Sequence, residues 1–233
     1  MTTANCYLWI SLCVIYYGIS LSSTSMAGNP FHNNGQFYWT LNLLNSSILA
    51  LSGSAESVAA IIAVLFVNKV SRRSYVFWSM MASGLSLILL SGLSAKFPIA
   101  DFLWMKVMYF PSLLSNLFFQ WVVIVLNNFA KLTCCLVWTV AFVYCGEIYP
   151  TRWRSTGSGL ASGCARFGSM IAPQLAFADP WLQTWLPGTI MGLVGITGGV
   201  AARLLPNTIG HPQPESFAAV RKMYGSRGYY SIM

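Results

Sequence analysis

The stretch WVVIVLNNFAKLTCCLVWTVAFVYCGEIYPTRWRSTGSG, residues Trp121–Gly159, decides the fold. Its first part, Trp121–Cys145, is almost entirely apolar and exceeds the roughly 20 residues that a helix needs to cross a membrane. Pro150 then ends the helix, because the residue before a proline disfavours helical geometry. Charged side chains gather around this proline: Glu147, Arg152 and Arg154. The stretch therefore predicts a transmembrane helix that leads into a charged junction.

The composition of the whole chain agrees with a membrane protein. Of its 233 residues, 56% are hydrophobic and only 8% are charged, whereas soluble domains carry about 25% charged residues. A net charge of +8 would also suit a nucleic-acid-binding protein, but the basic residues lie between apolar runs rather than along one polar face. We predict a lipid bilayer as surroundings and no nucleic-acid partner.

Six segments are long and apolar enough to span a bilayer: 6–25, 46–67, 75–93, 121–145, 157–177 and 184–205. The apolar stretch 101–120 could be a seventh span, but Lys106 and Pro111 interrupt it. With six spans, the loops place most basic residues on one side, which the positive-inside rule makes cytoplasmic: Lys69, Arg72, Arg73, Arg152, Arg154, Arg203, Arg221, Lys222 and Arg227. We therefore predict that 101–120 is an extracellular loop.

The predicted fold class is all-α, a polytopic bundle of six transmembrane helices in residues 1–205. A cytoplasmic tail, 206–233, is predicted to be largely disordered because of its prolines and glycines. Glycines at helical spacing let helix backbones approach closely, and two such stripes occur: Gly188, Gly192, Gly195 and Gly199 in the last span, and Gly159 and Gly163 in the fifth. Gly157 and Gly159 are expected to allow close packing where the fifth helix starts.

Three ionisable residues lie inside predicted spans: Glu56, Lys131 and Arg166. A charge at mid-membrane costs about 2.5–3.5 kcal/mol on insertion scales, so such residues pair with each other or face a cavity. One reading is structural, with Glu56 neutralising Lys131 or Arg166. That pairing still leaves one cation, which suits an anionic or zwitterionic ligand.

Aromatic residues in the spans have two readings. Most aromatic residues of a membrane protein pack the core or lie at the interface, but a few could line a cavity for an amphipathic organic ligand, and the candidates are Tyr16, Tyr17 and Trp138. The six cysteines fall in apolar segments without metal-binding spacing. No nucleophile–base set or phosphate loop is recognisable, so we predict no enzyme activity, no metal and no cofactor.

The charged junction also has two readings. In the first, its basic residues serve only to fix the orientation of the helices. Alternatively they form a latch on the cytoplasmic face, in which ion pairs exist in one conformation and break in another; its candidate members are Glu147, Arg154, Arg72 and Arg73.

The segment EIYPTRWRSTGSG, Glu147–Gly159, resembles the ELYPTxxRxxGxG signature of the organic-ion transporter family of solute carriers, within the major facilitator superfamily. Further resemblances follow along the chain: YYGISL (16–21) to YYGLSL of the seventh family helix, Glu56 to the acid of VEIPAY in the eighth, NKVSRR (68–73) to DRLGRR, FAK (129–131) to LGK of the tenth, ARFGSMIAP (165–173) to ARxGSIxxP of the eleventh, and LLPNTIGHPQPES (204–216) to LLPETLGxPLPET after the twelfth.

This resemblance implies that the six spans are helices seven to twelve of a twelve-helix transporter with a midplane substrate site and alternating access. Anion and carnitine-type members resemble this chain in carrying Arg at the position of Arg166 and Lys at that of Lys131. The resemblance implies gating roles for Glu147 and Arg154. The chain departs from the family at Asn68, Ser71 and Val58, where the motifs have Asp, Gly and Pro.

The predicted function is plasma-membrane transport of small organic ions, favouring organic anions or zwitterions such as carnitine. The predicted substrate-binding residues are Lys131, Arg166, Glu56, Tyr16, Tyr17 and Trp138. We expect the chain to be a C-terminal half that pairs with a missing N-terminal half or with itself. The alternative is a non-transporting half that binds full-length relatives through its glycine stripes and modulates them.

Overall fold

The computed structural model describes residues 2–26, 38–67, 69–96, 113–176, 186–208 and 214–215. In these ranges every regular element is helical, which confirms the all-α class for this part of the chain. The helices are α1 (Thr2–Met26), α2 (Tyr38–Phe66), α3 (Arg72–Lys96), α4 (Leu113–Ile148), α5 (Arg154–Ala176) and α6 (Leu186–Arg203), with a short 3₁₀ turn at Thr151–Trp153.

Three helices contain stretches long and apolar enough to cross a membrane: Thr2–Leu21 in α1, Arg72–Leu93 in α3 and Trp121–Ile148 in α4. The described apolar stretch of α2, Ala50–Phe66, is shorter. Each of the six predicted spans overlaps one helix, and for three of them the length and composition of the helix support a membrane crossing. The other three spans stay predictions.

The start of α4 corrects the prediction of an extracellular loop at 101–120. This helix begins at Leu113 and has 36 residues, which makes it about 54 Å long at 1.5 Å per residue. The sequence after Pro111 contains no further proline or glycine before the apolar run, so nothing interrupts a helix that begins behind that proline. Residues 101–112 lie outside the described residues.

The junction around Pro150 has the predicted form at its start. Helix α4 ends at Ile148, and Pro150 has extended backbone angles, φ −56° and ψ 148°, before the 3₁₀ turn. The Tyr149 ring packs on Gly157 in the first turn of α5, because a Cβ at Gly157 would lie 2.6 Å from that ring. Gly159 was expected to assist this packing, but a Cβ there would meet no atom within 4 Å.

Helix α1 occupies the centre of the described bundle, where it contacts α2, α4, α5 and α6. Four of its side chains, spaced at three and four residues, are completely buried: Leu8, Leu12, Ile15 and Ile19. This spacing keeps them on one side of the helix. Other side chains of α1, including Trp9 and Tyr17, line a cavity.

Helices α3 and α6 pack through glycines, as the predicted stripe on the last helix requires. A Cβ at Gly192 would lie 2.7 Å from the carbonyl oxygen of Gly84, and a Cβ at Gly84 would lie equally close to the carbonyl oxygen of Gly192. The stripe predicted on α5 is wrong, since Cβ atoms at Gly159 and Gly163 would meet nothing within 4 Å. Besides Gly157, Gly168 makes a close contact of α5, against the carbonyl oxygen of Ile10 in α1.

Adding one methyl group at the α3–α6 contact should separate the two helices. We expect Gly192→Ala to destabilise the chain by about 1–3 kcal/mol, the usual effect of overpacking, because neither carbonyl oxygen nor helix backbone can move aside. The matched change Gly163→Ala enters open space and should be neutral or stabilising, since alanine favours helix over glycine by about 1 kcal/mol. Thermal unfolding of both variants in detergent checks this, and equal midpoints would contradict the packing.

The predicted tail, 206–233, is described only at 206–208 and 214–215. In these residues Pro206, Thr208 and Pro214 are buried. The carbonyl oxygen of Pro214 accepts a hydrogen bond from the backbone N–H of Thr151 at 3.2 Å. The described part of the tail is therefore packed against the junction between α4 and α5, and the remaining residues lie outside the described part.

Candidate functional site

Helices α2 and α4 bring together two of the three charged residues that lie in predicted spans. The ammonium group of Lys131 lies 2.9 Å from Oε1 of Glu56 and donates a hydrogen bond to Oγ of Ser52 at 2.9 Å. Ser52 precedes Glu56 by one helical turn, so both acceptors face α4 from the same side of α2. Lys131 is only 6% exposed, whereas the Glu56 side chain is 41% exposed. The cation is therefore buried and the carboxylate lies at the rim.

Tyr16 of α1 completes this cluster. Its hydroxyl donates to the same Glu56 oxygen at 3.0 Å, and its ring lies 5.7 Å from the Lys131 ammonium group. The ring also stacks on Trp138 of α4, with centroids 5.2 Å apart and planes inclined by 27°. The Glu56 carboxylate is thus held by partners from two other helices, and α1, α2 and α4 meet at this point.

Arg166, the third charged residue in a predicted span, occupies a different place. It lies on α5 and lines a cavity of about 130 Å³ between α1, α4 and α5. Across the described ranges its guanidinium group has no carboxylate within ion-pair distance. Ser162 and Ser169, at one turn before and one turn after, line the same cavity. Among the described residues, Arg166 therefore supplies positive charge without a carboxylate partner to a space that can admit a small group.

Aromatic rings form the other wall of this cavity: Trp9, Tyr17, Trp138 and Phe142. Trp138 belongs to both clusters, because it stacks on Tyr16 and also lines the cavity. Trp9 packs edge-on against Trp138 and Phe142, with centroids 5.9 and 4.8 Å apart. The wall is flat, apolar and polarisable, which favours contact with the body of an organic molecule.

Trp9 is a cavity residue that the sequence analysis missed. It is 3% exposed, and its indole N–H finds no hydrogen-bond acceptor among the described residues. A buried donor without an acceptor costs about 1–3 kcal/mol, so an acceptor supplied within the cavity would stabilise it. The available signal was spacing: Trp9 precedes Tyr16 by seven residues, two helical turns along the same face.

At the end of the bundle that is predicted to be cytoplasmic, the structure joins two of the predicted latch residues. Arg72 in the first turn of α3 places Nη2 2.6 Å from Oε1 of Glu147 in the last turn of α4. Nη1 of Arg72 also donates to the carbonyl oxygen of Val67, just after α2, at 2.9 Å. Arg73 and Arg154 occupy the first turns of α3 and α5. One ion pair thus connects the ends of α2, α3 and α4.

Tyr149 packs beside this latch and remains a neutral phenol. Burial raises the pKa of its hydroxyl above the ordinary value, and a hydrogen bond from Asn5 acts in the opposite direction. Nδ2 of Asn5, a buried residue in the first turn of α1, donates to the hydroxyl oxygen at 3.4 Å. The aromatic residue of the junction motif therefore ties the start of α1 to the α4–α5 corner.

Comparison with known proteins gives consistent relatives. The chain is 28% identical to solute carrier family 22 member 15 of Xenopus tropicalis over 223 residues, which cover 92% of this chain and 35% of the relative. It is 25% identical to the organic cation transporter protein of Drosophila melanogaster over 89% of this chain and 31% of the relative. A shorter match, 36% of this chain and 15% of the relative, is 40% identical to organic anion transporter 3 of Mus musculus. No family model matches the chain.

The chain is a homologue of solute carrier family 22. This confirms the resemblance drawn from the junction motif, and the helices long enough to cross a membrane make the chain a multi-pass membrane protein. It spans about a third of the length of relatives that match most of it. The relatives carry the names of transporters rather than of enzymes, which agrees with the prediction that the chain is not an enzyme.

Proposed function

We propose that this chain is the C-terminal half of a plasma-membrane transporter that moves small organic ions by alternating access. Its preferred substrates are organic anions or zwitterions such as carnitine. The observation that carries the proposal is the cavity in which Arg166 faces an aromatic wall. An arginine binds a carboxylate through two parallel hydrogen bonds, while the aromatic rings contact the rest of the molecule.

The sign of the substrate charge follows from the pairing inside the membrane. Glu56 is within 2.9 Å of Lys131, so these two charges compensate each other. Of the three charged residues in the predicted spans, Arg166 then remains without a carboxylate partner among the described residues. A substrate carboxylate would neutralise it, whereas an organic cation would add a second positive charge to the cavity. The relatives include proteins named for cation transport and for anion transport. The preference for anions or zwitterions is therefore supported by Arg166 and not by the names of the relatives.

The size of the cavity supports an incomplete site. Its volume of about 130 Å³ is smaller than the roughly 300–1,000 Å³ of ordinary ligand pockets. A missing wall from an N-terminal half, or from a second copy of this chain, would enlarge the enclosed space. This fits a chain that spans about a third of its relatives' length and lies in a fold class that binds substrate between two halves.

The cytoplasmic ion pair supplies the gate in this proposal. Arg72 sits at a helix N-terminus and Glu147 at a helix C-terminus, where each charge is unfavourable towards the dipole of its own helix. The two charges compensate each other only while α3 and α4 are close together. Separation of the two helix ends breaks the pair, so it can serve as a latch, with Arg73 and Arg154 as its neighbours.

The alternative of a non-transporting modulator receives less support from the packing. That alternative uses both glycine stripes as surfaces for relatives. The α6 stripe is not available, because Gly192 and Gly195 lie against Gly84 of α3, and the neighbouring Gly198 lies against Ser11 of α1. These glycines are occupied within the chain. Gly159 and Gly163 on α5 face open space, so of the two stripes only that of α5 is left as a surface for a relative.

Uptake measurements test the proposed function. The chain is expressed alone, and joined to the N-terminal half of a related solute carrier family 22 protein, in cells with low background uptake. Labelled benzoate, carnitine and tetraethylammonium serve as anion, zwitterion and cation. We expect no uptake by the chain alone and uptake of benzoate or carnitine by the joined protein. Uptake of tetraethylammonium alone, or no uptake by a joined protein that reaches the surface, contradicts the proposal.

A further inference from the structure

The segment that follows α6 is fixed to the end of α4. After Arg203 the chain makes a turn, with Leu205 donating its backbone N–H to the carbonyl oxygen of Ala202 at 3.2 Å. Leu205 is completely buried. The carbonyl oxygen of Pro206 accepts a hydrogen bond of 2.5 Å from the hydroxyl of Tyr144, which is itself fully buried in α4. These contacts bring residue 208 to the cytoplasmic latch.

Thr208 binds the acid of the latch directly. Its hydroxyl donates to Oε2 of Glu147 at 2.7 Å, while Oε1 of the same carboxylate faces Arg72. Thr208 is 6% exposed. The two carboxylate oxygens therefore have different partners, one from α3 and one from the segment after α6.

We infer that Thr208 is a positioning residue for the Arg72–Glu147 ion pair, and that it makes the segment after α6 a part of the gate. Two hydrogen bonds fix the plane of the Glu147 carboxylate, whereas one bond leaves it free to rotate away from Arg72. Forming the ion pair costs conformational entropy, because the long Glu147 side chain must be held in one position. The hydrogen bond from Thr208 already restricts this side chain, so less entropy is lost when the ion pair with Arg72 forms. The gating role of this ion pair rests on the proposed function, whereas the contacts of Thr208 and Arg72 with Glu147 are independent of it.

The same geometry links four chain segments. Arg72 binds the end of α2 through Val67 and the end of α4 through Glu147, and Thr208 adds the segment after α6. A movement that separates α3 from α4 changes the partner of one Glu147 oxygen while the other oxygen stays bonded to Thr208. The segment after α6 is thus expected to move together with α4.

A mutant cycle on the full chain in detergent tests the inference without transport. Thr208→Val removes the hydroxyl and keeps the shape, and Arg72→Met removes the cation and keeps an apolar stem. We expect each change to lower the midpoint of thermal unfolding by about 3–6 °C. In the double variant, the decrease in the midpoint should be smaller than the sum of the two single decreases by about 3 °C or more, since residues in one network are coupled. Thr208→Ser keeps the donor and should match the unaltered chain.

Thr189→Val provides the control, because within the described part of the chain the Thr189 hydroxyl donates only to the carbonyl oxygen of Leu186 in its own helix, at 2.8 Å. Combined with Arg72→Met, it should give additive shifts within about 1–2 °C. Additive shifts for Thr208→Val as well, or a Thr208→Ser chain as unstable as Thr208→Val, overturn the inference. Neither result bears on whether the joined protein transports benzoate, so the two proposals fail separately.

Discussion

Glu56→Gln should be the most destabilising conservative change in this chain, lowering the midpoint of thermal unfolding in detergent by about 6–12 °C. The change keeps the size of the side chain but leaves the Lys131 ammonium group, 6% exposed, without its counter-charge. Breaking a buried ion pair from one side costs about 3–5 kcal/mol, and the lower value applies because the Glu56 side chain is 41% exposed. About 3 kcal/mol corresponds to the stated shift in a chain of this size.

The reciprocal change distinguishes a charge effect from a packing effect. Lys131→Met leaves the Glu56 carboxylate at the rim, where it still accepts a hydrogen bond from Tyr16. The midpoint of thermal unfolding of this variant should therefore fall by about half as much as that of Glu56→Gln. The double variant, Glu56→Gln with Lys131→Met, carries no unpaired charge and should regain most of the lost stability. Equal losses in the two single variants, or a double variant that is worse than both, would show that Lys131 and Glu56 do not stabilise each other.

The order of the helices could be predicted from the sequence, because apolar length is a local property. The six predicted spans each overlap a helix, and Pro150 placed the end of α4 within two residues. The start of α4 was predicted wrongly because charge and proline in 101–112 obscured the helix that begins at Leu113. Glycine spacing identified the α6 stripe correctly, but it also suggested Gly159 and Gly163, since spacing alone does not say which side of a helix has a neighbour.

The candidate site could be predicted only as a set of residue types. Two cations and one acid inside the membrane require a surplus cation, but the sequence does not say that Glu56 pairs with Lys131 rather than with Arg166. That choice depends on the packing of α2 against α4. Arg72 and Glu147 belong to different helices that are far apart in the chain, and the partnership of Thr208 with Glu147 depends on the turn after α6. Contacts of this kind follow from tertiary structure and leave no local pattern.

Arg166→Ala should strongly reduce the uptake of benzoate and carnitine by the joined protein at low substrate concentration. Charge-assisted hydrogen bonds contribute about 1.5–3 kcal/mol, and every 1.4 kcal/mol is a factor of ten in affinity, so apparent affinity should fall about 10- to 100-fold. Arg166→Lys keeps the charge but not the planar fork that binds both carboxylate oxygens. It should lose about tenfold in affinity, with the remaining uptake restored at high substrate concentration.

Arg152→Ala is the matched control, because Arg152 is an exposed cation of the 3₁₀ turn outside the cavity. It removes the same charge from the chain and should leave uptake unchanged, once the amount of protein at the cell surface is equalised. If Arg166 instead only offsets charge in the fold, Arg166→Lys should transport like the unaltered protein and Arg166→Ala should lose surface expression together with uptake. A gain of tetraethylammonium uptake in Arg166→Ala would show that this cation selects the sign of the substrate, since its removal leaves the aromatic wall of Trp138 and Tyr17 in place to contact an organic cation.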